Sequence, residues 1–158
     1  MRLGMISILI ALLLSVPAAA QKIAGVWSLT QVTTTGTDGS TKQITQPSMY
    51  LFTKKHYSII YVSSPEARPA IADISTATAD ELRSVFVTSF VANAGTYEVK
   101  EGKLTMKPIV AKSPTIMQPG TFSVMSLKIE GNVMTLVSDS TNNGPSKNPT
   151  TFKLNRIE

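Results

Sequence analysis

The feature that most constrains this chain is a rhythm of short β-branched and aromatic runs, each stopped by turn residues. "GVWSLTQVTT" (25–34) ends in "GTDGS", where Asp38-Gly39 is a turn signal. "SMYLFT" (48–53) and "HYSIIYVS" (56–63) flank Lys54 and Lys55, which predicts a tight hairpin. "GTYEVK", "KLTMKPIVA", "TFSVMSLKIE", "VMTLVSDS" and "TTFKLNRIE" follow as a meander, with turns at Glu101-Gly102 and Gly131-Asn132 and loops at 112–120 and 141–149. The count is about eight antiparallel strands, enough to close a small up-and-down barrel and so remove exposed sheet edges.

The rhythm breaks once. "SPEARPAIADIS" (64–75) carries two prolines, which cannot donate to a ladder, and reads as a surface loop. After it, Thr78 and Glu81 have the spacing of a capping box. Leu82, Val85, Phe86 and Phe90 then recur at helical spacing, and Gly95 offers a left-handed stop. One short amphipathic α-helix is therefore expected at about 78–93, between the third and fourth strands, with its apolar stripe packed on the barrel.

Upstream of the strands, "MRLGMISILIALLLSVPAAAQ" has Arg2 as a positive start, an apolar core from Met5 to Val16, and Ala18 and Ala20 at the positions of an A-x-A cleavage site. Residues 1–20 read as a secretory signal peptide, since the apolar run is shorter than the roughly 20 residues of a spanning helix. Gln21 stands where a lipoprotein would need cysteine. The expected product is a secreted or periplasmic domain over residues 21–158, with no stable membrane insertion after cleavage. The chain has no cysteine, so neither disulfides nor thiolate metal sites are available, and stability must come from packing. Its net charge is +5, but the lysines are scattered without aromatic interleaving, the pattern of a solvated surface and not of a nucleic-acid interface.

Neighbouring residues in a strand point to opposite sides, so parity predicts the inner face. Trp27 and Leu29 share a side, as do Tyr97 and Val99, Leu104 and Met106, Met125, Leu127 and Ile129, Met134 and Leu136, and Phe152 and Leu154. Arg156 has the parity of Phe152 and Leu154. A guanidinium directed inward needs a partner, and an aromatic face with carbonyl oxygens at a barrel end supplies one. First and last strands are neighbours in a closed barrel, so Gly25, Trp27 and Arg156 are the expected closure of one end.

These residues carry a resemblance. Gly25-Val26-Trp27-Ser28-Leu29, Asp38-Gly39, Phe52-Thr53-Lys54-Lys55-His56-Tyr57-Ser58, Arg68-Pro69, Asp80-Glu81, Gly95-Thr96-Tyr97-Glu98-Val99, Gly131 to Leu136 and Leu154 to Glu158 resemble, in order and spacing, the bacterial lipocalin-like domain family of the calycin superfamily. The resemblance spans nearly the whole of 21–158 and implies a lipocalin-like barrel. The chain departs from it at Lys55, where relatives tend to have glycine, at Leu104 to Lys107, which lacks a histidine, and around Phe122 to Met125, which lacks an arginine.

Catalytic constellations are absent from the pattern. His56 is the only histidine, which excludes a histidine-rich metal site, and it shares a strand with Ser58 without a nucleophile elbow. Glu98 lies on the face opposite Tyr97, no carboxylate pair stands out, and there is no phosphate loop or dinucleotide fingerprint. No catalytic residue, metal or cofactor is expected. What remains is the interior. Tyr57, Ile59 and Tyr61 share a face, and with Tyr97, Met106, Met125, Leu127 and Met134 they would line a cavity for a small apolar or amphipathic ligand, tyrosines orienting its polar end. Periodicity fits a solid core equally well. Two alternatives stand beside a carrier. One is a protein-interaction or protease-inhibitor-like barrel using the rims 63–75 or 112–120, although such inhibitors usually carry a disulfide. The other is a cyclase or isomerase acting by confinement.

Overall fold

β1 (Gly25–Thr34) and β10 (Thr150–Arg156) lie at opposite ends of the chain and pair antiparallel from Trp27↔Arg156 to Thr34↔Thr150. This seam closes the barrel in the computed structural model, which describes residues 22–34, 41–43 and 46–158. Between them come β2 (Thr41–Gln43), β3 (Ser48–Phe52), β4 (His56–Val62), β5 (Phe90–Lys100), β6 (Lys103–Ala111), β7 (Ser123–Glu130), β8 (Val133–Thr141) and β9 (Gly144–Pro145). Each barrel strand pairs with the next in the order β1-β3-β4-β5-β6-β7-β8, and β10 pairs with both β8 and β1. The ring thus has eight antiparallel strands in meander order. Among the described residues short β2 pairs with β1, and β9 pairs antiparallel with the end of β8. The segment 1–20 and the Asp38-Gly39 turn lie outside the described residues.

Strand parity places the core where alternation predicts it. Trp27, Leu29, Val99, Leu104, Met106, Met134, Leu136 and Leu154 are buried, and Tyr97, Met125, Leu127, Ile129 and Phe152 pack against them, half-buried. Ile23, just ahead of β1, is fully buried in the same cluster. Burial of this kind contributes roughly 1.5 to 3 kcal/mol for each large side chain, the main return against chain entropy.

The helix is shorter than its spacing predicts. Thr78 and Glu81 do form the capping box, the Thr78 hydroxyl accepting from the Glu81 N–H and the Glu81 carboxylate accepting from the Thr78 N–H at 2.7 Å. The α-helix α1 covers only Ala79–Leu82, and Arg83–Thr88 continues as a π-helical turn. Of the apolar stripe Val85 is buried, Phe86 is exposed, and Phe90 already begins β5. The correction has a plain cause: "FVANAG" pairs with β4 from Val62↔Phe90 to Tyr57↔Gly95, and ladder hydrogen bonds outweigh the helical periodicity of four apolar residues. Gly95 is consequently no helix stop. It sits at a β-bulge between β5 and β6, where an added Cβ would come within 2.0 Å of the Lys107 carbonyl oxygen.

Candidate functional site

The two ends of the barrel are built from different chemistry. At the end where β1 begins, the Trp27 indole N–H donates to the Ile23 carbonyl at 2.8 Å, and both residues are sealed from solvent. The Arg156 guanidinium lies over the Trp27 ring, 4.0 Å from its centroid, and donates to the Ala24 carbonyl at 2.7 Å and to the Lys22 carbonyl. Gly25, at φ +132°, leaves room for this stack, since a Cβ there would meet the guanidinium at 2.5 Å and the Glu158 carbonyl oxygen at 2.3 Å. The indole N–H and both terminal guanidinium nitrogens of the plug are bonded to main-chain carbonyls, so they hold the chain ends together.

At the other end the interior is hollow. A cavity of about 460 Å³ lies between the inner faces of β3 to β8 and β10, with its mouth framed by the loops after β6 and β8. That volume falls within the range of pockets for small organic ligands. Of the lining residues singled out in the sequence, Tyr57, Tyr61, Met106 and Met125 line it. Tyr97, Leu127 and Met134 do not. Met134 is fully buried in the packed half, Leu127 is half-buried against the core, and Tyr97 meets Phe52 edge to face at 5.3 Å. The Tyr97 hydroxyl donates to the Thr53 carbonyl at 2.6 Å, so it ties the β3–β4 turn and is not free for a ligand.

Sequence reasoning misses several wall residues. Tyr50, 4% exposed, stacks on Tyr61 with ring centroids 5.9 Å apart. Its parity with Phe52 was a usable signal. Asn93 contributes an amide, but the helix expected over 78–93 hides it, because only a strand directs Asn93 into the barrel. Phe122, Ile116 and Pro119 come from the irregular segment after β6, which has no period to read.

Three phenols therefore face one space. Among the described residues the hydroxyls of Tyr50, Tyr57 and Tyr61 have no hydrogen-bond partner, whereas no sealed side-chain nitrogen or oxygen lacks one, so these hydroxyls are not sealed, and all three residues line the cavity. Burial disfavours the phenolate and raises all three above the ordinary tyrosine value, Tyr57 to about 12 and Tyr50 with a further push from Tyr61. They stay protonated donors at any physiological pH.

The remaining chemistry-bearing residues lie elsewhere. His56 and Glu98 are exposed on the outer surface, and no described cluster of three or more histidines and carboxylates could hold a metal ion. Lys103, Ser126 and Asp139 form a polar pin across β6, β7 and β8: the ammonium contacts Ser126 at 2.8 Å and Asp139 at 2.5 Å, and Ser126 reaches Asp139 at 3.0 Å. The ammonium and the hydroxyl hold the Asp139 carboxyl below its usual range. Among the described residues no helix is long and apolar enough to cross a membrane.

No protein-family model matches the chain, and neither does any curated protein sequence. Among solved structures it is similar to a lipocalin-like protein from Bacteroides uniformis ATCC 8492, with 15% identity over 86% of this chain and 99% of that one and a TM-score of 0.47.

Proposed function

We propose that this protein is an exported small-molecule binder of the bacterial lipocalin-like, calycin type, which takes an apolar or amphipathic ligand into the open half of its barrel. One observation carries the reading: a cavity of about 460 Å³ walled by Ile59, Met106, Met125 and Phe152 is also lined by three tyrosines whose hydroxyls have no partner among the described residues. Apolar walls supply affinity through dispersion and water release, and a few convergent donors fix orientation. Export follows from the signal-peptide pattern of residues 1–20, with the barrel over 21–158 acting in the periplasm or outside the cell.

Native mass spectrometry of the protein purified from its own host tests the reading. A mass excess that organic extraction removes is the expected result. Protein that is consistently mass-pure and fails to enhance the fluorescence of the neutral dye 1-aminoanthracene would overturn it.

A further inference from the structure

The chemistry of the cavity wall also restricts the charge of its occupant; this rests on the binding function proposed above. Of the described residues lining the cavity, none is an acid, a lysine, an arginine or a histidine. Arg156, the guanidinium most deeply placed in the barrel, is committed at the opposite end to Trp27 and to the Ala24 and Lys22 carbonyls. Lys112, next to the mouth, is held by the Val87 and Phe90 carbonyl oxygens. The polar groups left at the inner wall are neutral. Three are phenols, which can donate to a carbonyl, ester or ether oxygen, and Asn93 adds an amide able both to donate and to accept.

An ion entering this space would exchange water for a wall that offers no counter-charge, and the desolvation of an isolated charge far exceeds what a neutral hydrogen bond returns. The tyrosines themselves report that cost: burial makes a negative charge on their own oxygens unfavourable, and a carboxylate beside them would meet the same environment. An uncharged oxygen avoids it while satisfying donors that otherwise stand open. We infer that the barrel selects electrically neutral ligands bearing a hydrogen-bond-accepting oxygen, of the ketone, ester or lactone class, and discriminates against fatty-acid anions and amphiphilic cations. The accepting oxygen is held at the stacked Tyr50–Tyr61 pair, and the apolar body packs on Ile59, Met106, Met125 and Phe152.

Displacement of 1-aminoanthracene by probes of matched chain length tests this: 2-undecanone as the neutral acceptor, decanoate as the anion and decylammonium as the cation, all at pH 7.5. The ketone is expected to bind at least about tenfold more tightly than either ion. Tyr50→Phe, which removes one oxygen and keeps the ring, is expected to weaken the ketone by roughly five- to tenfold, with dye affinity measured directly on the variant so that the displacement constants are comparable. Equal or tighter binding of either ion, or an unchanged ketone affinity in Tyr50→Phe with wild-type melting, overturns the inference and leaves the binding function standing. Failure of the dye and of all three probes to bind overturns both.

Discussion

Replacing Trp27 with alanine removes the plug at the closed end, and its cost can be worked from the contacts. The ring is fully buried, and truncating a buried large aromatic costs about 3 to 5 kcal/mol through lost transfer energy and the cavity left behind. Two further losses push this site towards the upper end of that range. The Ile23 carbonyl, itself sealed, loses the indole donor, and the Arg156 guanidinium loses the ring 4.0 Å beneath it. A domain of this size has a total stability of about 5 to 15 kcal/mol, so the variant retains a fold but a marginal one. At roughly 3 to 4 °C per kcal/mol, Tm should fall by about 10 to 20 °C. Urea unfolding followed by far-ultraviolet circular dichroism measures the change without needing the missing tryptophan. A midpoint displaced by the equivalent of less than about 1 kcal/mol would show that Trp27 is not a buried closure and would refute the packing argument.

Arg156→Met should keep much of the stack on Trp27 but leave the Ala24 and Lys22 carbonyls without their donor, costing about 1 to 3 kcal/mol in urea unfolding, with Arg156→Lys recovering only part because an ammonium cannot fork to both carbonyls while lying flat on the ring. Gly95→Ala should be more damaging than its size suggests, because the new methyl collides with the Lys107 backbone at the bulge; loss of the folded circular dichroism spectrum or a Tm drop of about 10 °C is expected, and a wild-type melt would refute the bulge. Asp139→Asn tests the polar pin. Lysine and serine hold the folded-state carboxyl below its unfolded value of 3.8, so its stabilisation is complete above that value and is lost as pH falls through the lower folded value. Both partners are partly exposed, so the wild-type advantage should be only about 0.5 to 1 kcal/mol at pH 7 and should shrink in unfolding curves as the pH falls below 3.8. A gap independent of pH would contradict the charge-based account.

How much of this was legible in the chain depended on the range of the interaction involved. The ends of β1, β6 and β8 and the inward residues follow from period-two alternation, a local signal that the barrel core rewards at every second position. The stack of Arg156 on Trp27 was legible too, because closure makes first and last strands neighbours and parity then leaves the guanidinium one place to go. The helix lies between the third and fourth barrel strands as expected, and only its far end departs, where local and long-range preferences disagree. Phe90 continues a helical stripe in sequence but finds Val62 across a ladder in space, and a sequence read alone contains no Val62 opposite it. Asn93 was lost to the site by the same error.

The cavity was illegible for a different reason. Alternation says which side chains point inward but not whether they meet, and the same strand can do both. In β4, Tyr57 pairs with Phe52 near the packed half and Tyr61 with Ser48 near the mouth, four residues apart on one face. The inner face of β8 divides likewise, with Met134 sealed in the core while Thr141 reaches the mouth. What separates filled from hollow is therefore depth along the barrel, set by where the large residues Trp27, Phe52 and Leu154 concentrate. Those three crowd the end closed by Arg156, so the packing that stabilises the barrel and the space that could hold a ligand occupy different layers of one sheet. A substitution at the closed end should therefore act on ligand affinity mainly through the folded fraction, and one at Tyr50, Tyr57 or Tyr61 mainly through the contacts made inside the cavity.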